Sequence, residues 1–275
     1  MTTMVASTES ISPNSPAFAP RVDIAPLIDA REQRRFVFCV FAAVLGYTFI
    51  IGMLVAAAKV PVASVFLGYG IAIFAFVTLT HMLFVGRIRG NAVRVSPEQF
   101  PELHQLLEAH ANRLAMPVPA MYILQAGGVL NAFAVKYFRR KFVVVFSDVI
   151  EIAEQHGPDA VSFIVGHELA HHKRNHPTKF KWLTPARLIP FAMPAYSRAC
   201  EYTCDAIGGA LAPSGASAGL LALAAGGRLF PRVDARQYAG QAVVDHGLSV
   251  RMAEIFSTHP HLTKRVAAVL RRTAM

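Results

Sequence analysis

Val165-Gly166-His167-Glu168-Leu169-Ala170-His171 is the stretch that most constrains the fold of this chain, because it sets two histidines four residues apart with a carboxylate beside the first. On an α-helix this spacing brings both imidazoles to one face, a turn apart, so that they can bind a single zinc ion. Glu168 would then reach a water molecule on the metal and act as a general base. The stretch therefore predicts a helix that carries half of a metal site.

The residues before and within this stretch favour a buried helix. Gly157 and Pro158 offer a turn ahead of it, and proline is common at the first positions of a helix. Apolar residues then follow at positions suited to a buried helix: Ala160, Phe163, Ile164 and Leu169. The alternative is that both histidines are ordinary half-buried residues on a helix that ends in the basic stretch 172–174.

A zinc site needs a third protein ligand, and the stretch 197–205, Ser-Arg-Ala-Cys-Glu-Tyr-Thr-Cys-Asp, offers candidates. Glu201 and Asp205 share a helical face, so Glu201 could complete the ligand set while Asp205 orients a ligand imidazole through its ring N–H. Cys200 and Cys204 have the same spacing and, with the two histidines, could instead form a closed structural zinc site. Only the first arrangement would be catalytic.

Three motifs together resemble the membrane zinc metallopeptidases of the HtpX and CAAX prenyl-protease family. They are His-Glu-Leu-Ala-His at 167–171, the stretch 197–205, and Ser-Thr-His-Pro at 257–260 followed by Arg265. The resemblance implies that one Zn²⁺ per chain is held by His167, His171 and Glu201, and that Glu168 is the general base.

The same resemblance assigns roles to three further residues. Asp205 matches the family's companion aspartate. His259 matches a histidine near the metal that can steady the oxyanion, and Arg265 belongs to the same late element, so both are candidate catalytic residues. On pattern alone, a His-Pro dipeptide in a loop is often only a turn.

A possible substrate-binding strand precedes the histidine motif. Residues 127–134 are similar to the family's segment ending in Asn-Ala-Phe-Ala, which forms an edge strand along which substrate lies. The resemblance makes Asn131, Ala132 and Phe133 candidate substrate-binding residues. The sequence pattern, a Gly-Gly turn followed by a short apolar run, fits an exposed edge strand that can pair with an extended peptide. A strand in the core of the sheet would show the same pattern.

Two long uncharged segments near the N-terminus, 36–58 and 60–86, are each long enough to cross a bilayer as a helix. Arginines precede the first and follow the second, whereas the turn between them carries only Lys59, which predicts that both ends face the cytoplasm. A cleaved signal peptide fits poorly, because the first segment is long and lies far from the start. Residues 1–35, rich in Ser, Thr, Pro and Ala, are interpreted as a disordered cytoplasmic tail.

Residues 91–275 are predicted to form one domain. Strand-like runs come first and helices follow, which favours an α+β zincin-like fold in which a small sheet accompanies the two motif helices, anchored by the transmembrane hairpin. Too few residues separate the motifs at 167–171 and 197–205 for two further membrane crossings. The apolar, proline-broken segment 182–196 between them would rest at the membrane interface or form a buried loop over the catalytic helix.

The net charge of +10 does not indicate a nucleic-acid partner, because the basic residues are scattered or flank the apolar segments. Anionic lipid is the simpler partner. Three cysteines, one of them within an apolar segment, do not form a secreted disulfide framework.

These observations predict a zinc endopeptidase of the inner (plasma) membrane that cleaves a protein or peptide substrate. The resemblance implies misfolded or damaged membrane proteins as substrates, in a quality-control role, or prenylated C-terminal peptides in the CAAX branch. Two other hypotheses stay open: a non-catalytic membrane-tethered protein with a structural zinc, and an inactive relative that keeps the fold.

Overall fold

The computed structural model describes residues 20–125, 131–137 and 140–273. Part of the predicted tail, residues 1–19, and the Gly-Gly turn at 127–128 lie outside these ranges. The tail prediction is wrong for residues 20–35. Asp29 caps a helix that begins at Ala30, and its backbone N–H donates to the Thr203 hydroxyl 174 positions along the chain. Because these contacts are so distant in sequence, local composition could not indicate them.

The described residues form a mostly helical structure with one small sheet, as the predicted α+β class requires. The α-helices are α1 Ala30–Ala57, α2 Pro61–Asn91, α3 Pro101–Arg113, α4 Ser147–His156, α5 Asp159–Lys173, α6 His176–Trp182, α7 Ala192–Leu211, α8 Gly215–Ala225, α9 Ala235–Val244, α10 Leu248–Phe256 and α11 Leu262–Thr273. The strands are β1 Val93–Arg94, β2 Ala120–Leu124, β3 Ala132–Tyr137 and β4 Arg140–Phe146.

The two N-terminal helices are each long and apolar enough to cross a membrane. Both extend past the predicted segments: α1 starts earlier because Asp29 caps it, and α2 continues to Asn91. Most of α2 exposes apolar side chains; Ala63 is buried near its start, the helix contacts α1, and near its end Val85 and Ile88 contact the sheet. The exposed length of α2 is therefore suited to lipid.

The strand order is β1-β2-β4-β3, with β2 and β4 parallel and β3 antiparallel to β4. Successive side chains of β4 point to opposite faces. Val143 and Val145 belong to the main core with α5, and Phe142 and Val144 pack with the end of α2. The sheet thus joins the catalytic core to the second N-terminal helix, and β3 lies at its edge.

Helix α5 runs through the middle of the core and is buried on nearly all sides. It packs closely against α7 because small residues face each other at the crossing. A Cβ atom at Gly208 would lie 3.1 Å from the backbone nitrogen of His167 and 3.2 Å from the carbonyl oxygen of Phe163. This close approach sets the distance between the two helices that carry the motif residues.

The segment 182–196 packs mainly on α1. It contains a 3₁₀ turn, Thr184–Leu188, in which Pro185 and Ala186 are buried, whereas the side chain of Trp182 is 70% exposed. A Cβ added at Gly46 of α1 would lie 2.7 Å from Pro185 Cβ, so the two segments are in close contact. Of the two predicted arrangements, a place at the membrane interface stays a prediction, and the loop predicted to lie over the catalytic helix packs mainly on α1.

Replacing Gly208 by alanine should destabilise the protein by about 1–3 kcal/mol, because the added methyl must push backbone atoms of α5 away from α7. Gly209→Ala is the matched control, since its Cβ would meet only Ala216 Cβ at 3.7 Å, an ordinary contact. Alanine's higher helix propensity should leave that variant unchanged or up to about 1 kcal/mol more stable. Thermal unfolding in detergent measures both, and equal stability of the two variants would contradict the packing argument.

Candidate metal centre

Helices α5 and α7 bring His167, His171 and Glu201 together. The Nε2 atoms of the two histidines lie 3.2 Å apart. Glu201 Oε2 lies 3.5 Å from His167 Nε2, and Glu201 Oε1 lies 3.4 Å from His171 Nε2. The i, i+4 spacing predicted this face on α5, and the close crossing with α7 supplies the carboxylate.

This donor set fits a zinc ion. The three ligand atoms lie within 4.8 Å of one another, and two imidazole nitrogens with one carboxylate oxygen are a set found in catalytic zinc sites. His167 and Glu201 are buried, and all three residues line a cavity that leaves room for a fourth ligand. The arrangement is therefore that of an open site.

Asp205 and Arg265 support the cluster from behind. Asp205 Oδ1 lies 3.0 Å from His167 Nδ1, on the ring edge opposite the other ligands. Arg265 donates two hydrogen bonds to Asp205, at 2.6 and 2.8 Å, and its Nη1 lies 3.2 Å from Glu201. The paired carboxylates and the guanidinium thus compensate one another in a site from which water is excluded.

The charges shift the proton affinities of these groups in opposite directions. Burial disfavours the imidazolium form of His167, but the carboxylates of Asp205 and Glu201 outweigh it and raise its pKa to about 10. Burial alone would raise the pKa of Glu201, but Arg265 and then the two histidines hold it well below its usual range. The pKa of Asp205 is lowered for the same reason, with Arg265 as the main opposing charge. The two carboxylates thus favour the charged form of His167, and the neighbouring cations favour the charged forms of the two acids.

His171 has its own partners, which the motifs did not indicate. Its Nδ1 lies 3.1 Å from Nδ1 of the buried His176, whose Nε2 lies 3.1 Å from Glu32 Oε1. Arg174 donates to the same oxygen of Glu32 at 2.8 Å. Glu32 belongs to the first turn of α1, and its distance of 144 positions from His176 left no local signal for this contact.

A cavity of about 740 Å³ opens on the cluster, and Glu168 lines it beside the two histidines. Ala132 and Phe133, two of the predicted substrate-binding residues, also line it, whereas Asn131 is exposed and its side chain accepts a hydrogen bond from Ala132 N. Other lining residues are mostly apolar: Phe180, Ile189, Pro190, Phe191, Met193, Pro194 and Phe256.

His259 and Arg265, the two candidate catalytic residues of the last motif, lie in different places. His259 lies at the cavity, with its Nε2 3.6 Å from Glu201 Oε1 and its side chain 62% exposed, which agrees with the expected place near the metal. Arg265 is buried and is not among the described residues that line the cavity. Its geometry favours a counter-ion for Asp205 and Glu201 over the expected direct contact with a substrate oxyanion.

Neither cysteine groups with both motif histidines, although Cys204 lies close enough to His171 and His176 to share a metal ion with them. Cys200 packs in the apolar cluster against α1, and Cys204 Sγ lies 3.7 Å from His176 Nδ1. Among the described residues, no group able to hold a metal combines both cysteines with His167 and His171. Burial also raises the pKa of both thiols, which disfavours the thiolate form that binds zinc. The closed structural site is thus not the arrangement that the fold produces.

Comparisons with known proteins give one matching family profile and two similar proteins. The profile of Peptidase family M48 matches residues 97–183 and 178–273. A relative from Arabidopsis thaliana, Plastoglobule-localized metallopeptidase 48, chloroplastic, is 31% identical over 135 residues, which cover 42% of this chain and 37% of the relative. The crystal structure of S. mikatae Ste24p aligns with a TM-score of 0.47 and 16% identity, covering 84% of this chain and 63% of that one. The chain thus spans less than two thirds of either protein.

Two histidines one helical turn apart, a glutamate beside the first and a carboxylate on a second helix define the class of HExxH metallopeptidases. The family profile covers more than half of the chain. The chain therefore belongs to Peptidase family M48, whose members are zinc peptidases and hence hydrolases.

Arg265→Gln should lower the free energy of unfolding by about 3–5 kcal/mol, because it leaves the buried carboxylates of Asp205 and Glu201 without their cation. Arg271→Gln, on the exposed side of the same helix, should change stability by less than about 0.5 kcal/mol. Denaturant unfolding in the presence of a chelator measures both, so that zinc cannot replace the lost charge. Equal stability of the two variants would show that the buried ion pairs do not stabilise the fold.

Proposed function

We propose that this protein is a membrane-anchored zinc endopeptidase whose metal ligands are His167, His171 and Glu201 and whose general base is Glu168. The observation that supports this most is the placement of all four residues on the wall of one open cavity, with the three ligand atoms within 4.8 Å of one another. One zinc ion per chain fits this set.

Zinc, when bound by this set, would lower the pKa of a bound water toward about 7 and polarise the scissile carbonyl. Glu168, beside His167 on the cavity wall, is placed to take a proton from the attacking water and return it to the leaving amine. Asp205 holds the ring of His167 so that its Nε2 faces the other ligands, and Arg265 keeps Asp205 and Glu201 ionised.

His259 is the proposed oxyanion donor. It stands at the rim of the cavity next to Glu201, and its large exposed fraction leaves the ring free to meet a substrate. A donor aimed at the carbonyl oxygen would stabilise the negative charge that develops there in the transition state. Arg265 would act on this step only through Asp205 and Glu201.

The proposed substrate path follows β3. The carbonyl oxygen of Asn131 accepts from Phe146 N, so by the alternation of antiparallel pairs Ala132 and Ala134 direct their N–H and C=O groups outward. The outward N–H of Ala132 donates to the Asn131 side chain at 2.9 Å, so a peptide must displace this bond or pair with the groups of Ala134. An extended peptide can pair with such an edge. The apolar cavity walls support hydrophobic stretches of polypeptide as substrates, and we propose that these come from misfolded or damaged membrane proteins.

Helices α1 and α2 are the proposed membrane anchor. Their exposed apolar surfaces support two crossings, and the arginines at 31, 34 and 35 and at 87, 89 and 94 support a cytoplasmic location of both ends and of the catalytic domain. We propose the inner (plasma) membrane as the location. The plastoglobule location in the printed name of the Arabidopsis relative applies to that protein.

Glu168→Gln tests the mechanism, because it keeps the metal ligands and removes the base. The purified full chain in detergent should retain one zinc per chain, and cleavage of casein or of the protein itself should fall by at least about a hundredfold. Zinc content is measured by elemental analysis and cleavage by gel, side by side with the unaltered protein.

Two ligand variants complete the experiment. Glu201→Ala should lose zinc, and Cys200→Ser combined with Cys204→Ser should retain it. The opposite pattern would support the structural zinc site, and bound zinc without cleavage by the unaltered protein would support an inactive relative.

A further inference from the structure

The chain from α6 through the first turn of α7 forms a hairpin along α1, and these residues, 176–196, are named here the inner hairpin. Its first limb starts beside the charged end of α1, where His176 Nε2 lies 3.1 Å from Glu32. It then runs along α1 until Pro185 packs on Gly46. This limb therefore follows the helix away from its charged end and into its apolar part.

The second limb returns along the same helix. Cys39 Sγ lies 3.5 Å from the carbonyl oxygen of Ala192, and Arg35 donates a 2.7 Å hydrogen bond to the carbonyl oxygen of Ala195. The contacts thus move back toward the charged end of α1 as the chain proceeds. Both ends of the inner hairpin lie on one side, and its turn lies deep along α1.

The depth of this turn follows from helix geometry. Gly46 lies ten residues beyond Phe36, the first residue after the arginines of α1. Ten residues of helix span about 15 Å. The hydrocarbon region of a bilayer is about 30 Å thick, so the turn would reach close to its middle if the span begins at Phe36.

The turn exposes the apolar side chains that such a location requires. Trp182 is 70% exposed, Leu188 59% and Phe191 43%. Backbone groups in this region are largely satisfied within the protein: Tyr47 donates to the carbonyl oxygen of Trp182 at 3.0 Å, and the Thr184–Leu188 turn is a 3₁₀ helix. Irregular backbone is tolerated at membrane depth where it is buried against protein.

Two charged residues near the turn are compatible with this location. Arg187 lines the cavity that also contains His167 and Glu168, so its guanidinium can remain in water. Lys181 is exposed one residue before Trp182, and its flexible stem can carry the ammonium toward the headgroups. Neither charge has to lie in hydrocarbon.

We infer that the inner hairpin is re-entrant: it enters the acyl region of the leaflet that holds the charged end of α1 and leaves on the same side. This inference rests on the proposed crossing of the membrane by α1 and α2. Its consequence is that the apolar wall of the cavity meets lipid at the exposed Phe191, so that a hydrophobic polypeptide segment can reach Glu168 directly from the bilayer.

Trp182 is the single tryptophan of the chain, so the fluorescence of the unaltered protein tests this inference. The full chain is reconstituted into phosphatidylcholine vesicles whose acyl chains carry bromine at different depths. We expect blue-shifted emission, at least twofold stronger quenching by acyl-chain bromine than by aqueous iodide, and stronger quenching by bromine at deep acyl positions than by bromine near the headgroups. Red-shifted emission with iodide quenching and no bromine quenching would overturn the inference.

Two relocated tryptophans, each combined with Trp182→Phe, provide references. Phe74→Trp, at an exposed position midway along α2, should be quenched by deep bromine, and Val243→Trp, exposed on α9, should be quenched by iodide. If the α2 reference is not quenched by bromine, the proposed anchor fails. If that reference is quenched and Trp182 is not, only the re-entrant hairpin fails.

A second inference rests on the contacts of His171. If His171 binds zinc through Nε2, its proton must be on Nδ1, which then donates to Nδ1 of His176 at 3.1 Å. His176 in turn must carry its proton on Nε2 and donate it to Glu32. One arrangement of ring protons therefore gives a partner to every ring nitrogen of His171 and His176, from Glu32 to the metal.

The two ligand histidines are thereby held in the same way. His167 has Asp205 on its outer ring nitrogen, and His171 has His176 backed by Glu32. Partners of this kind fix the tautomer and ring orientation of a metal ligand, and losing one typically costs 10–100-fold in metal affinity. We propose that His176 and Glu32 are positioning residues for His171, so that the first turn of α1 acts on the zinc site.

His176→Phe keeps a ring of similar size but removes the acceptor, so it should weaken zinc binding about 10–100-fold. His172→Phe is the matched control: His172 is equally buried on the neighbouring turn, but its Nε2 bonds to the carbonyl oxygen of Phe142, away from the cluster. Its zinc affinity should stay within about threefold of the unaltered protein. Competition with a chromophoric chelator measures the affinities, and thermal unfolding in EDTA measures stability without metal.

Glu32→Gln distinguishes an effect of Glu32 on the position of His171 from an effect on the stability of the fold. It should weaken zinc binding in the unaltered background and have no further effect in the His176→Phe background, because Glu32 acts through His176. Unchanged zinc affinity in His176→Phe, an equal loss in His172→Phe, or additive effects of the two changes would each overturn the proposal. Failure of the unaltered protein to bind zinc would instead overturn the proposed function.

Discussion

The close crossing of α5 and α7 is the constraint on which the rest of the structure depends. Without the glycine at 208, the carboxylates of Glu201 and Asp205 could not approach the imidazoles of α5. The crossing buries two acids and two histidines together, and such a group is stable only when a cation balances it. Arg265 supplies that charge from the last helix, which is why a residue near the end of the chain completes a site built in its middle.

The sequence predicted the parts of this site that arise from local spacing. His167 and His171 share a face because four residues make about one helical turn, and Glu201 and Asp205 do so for the same reason. Strand-like runs ahead of the motif helices were also predictable from the sequence pattern. The assignment of Arg265 to the reaction was less successful, since spacing cannot tell whether a guanidinium faces substrate or two buried acids.

Contacts between distant segments were beyond such reasoning. In the sequence, Glu32 is an ordinary charged residue ahead of an apolar segment. Only the folded structure shows that it is buried and in contact with His176 and Arg174. Likewise the segment between the two motifs was recognised as apolar and proline-broken, but not as a hairpin against α1. In the folded chain, α1 contributes Cys39, Ala42 and Ala43 to an apolar cluster with residues of this segment and of α7.

The pairing of Glu32 with Arg174 also sets an order of events during synthesis. The first turn of α1 is made 142 residues before its partner, an interval on the order of ten seconds at ordinary rates of translation. Throughout that time the surface of α1 around Cys39 and Gly46 has nothing to cover it. The first helix of the nascent chain thus keeps an uncovered apolar face until residues 176–196 have been made.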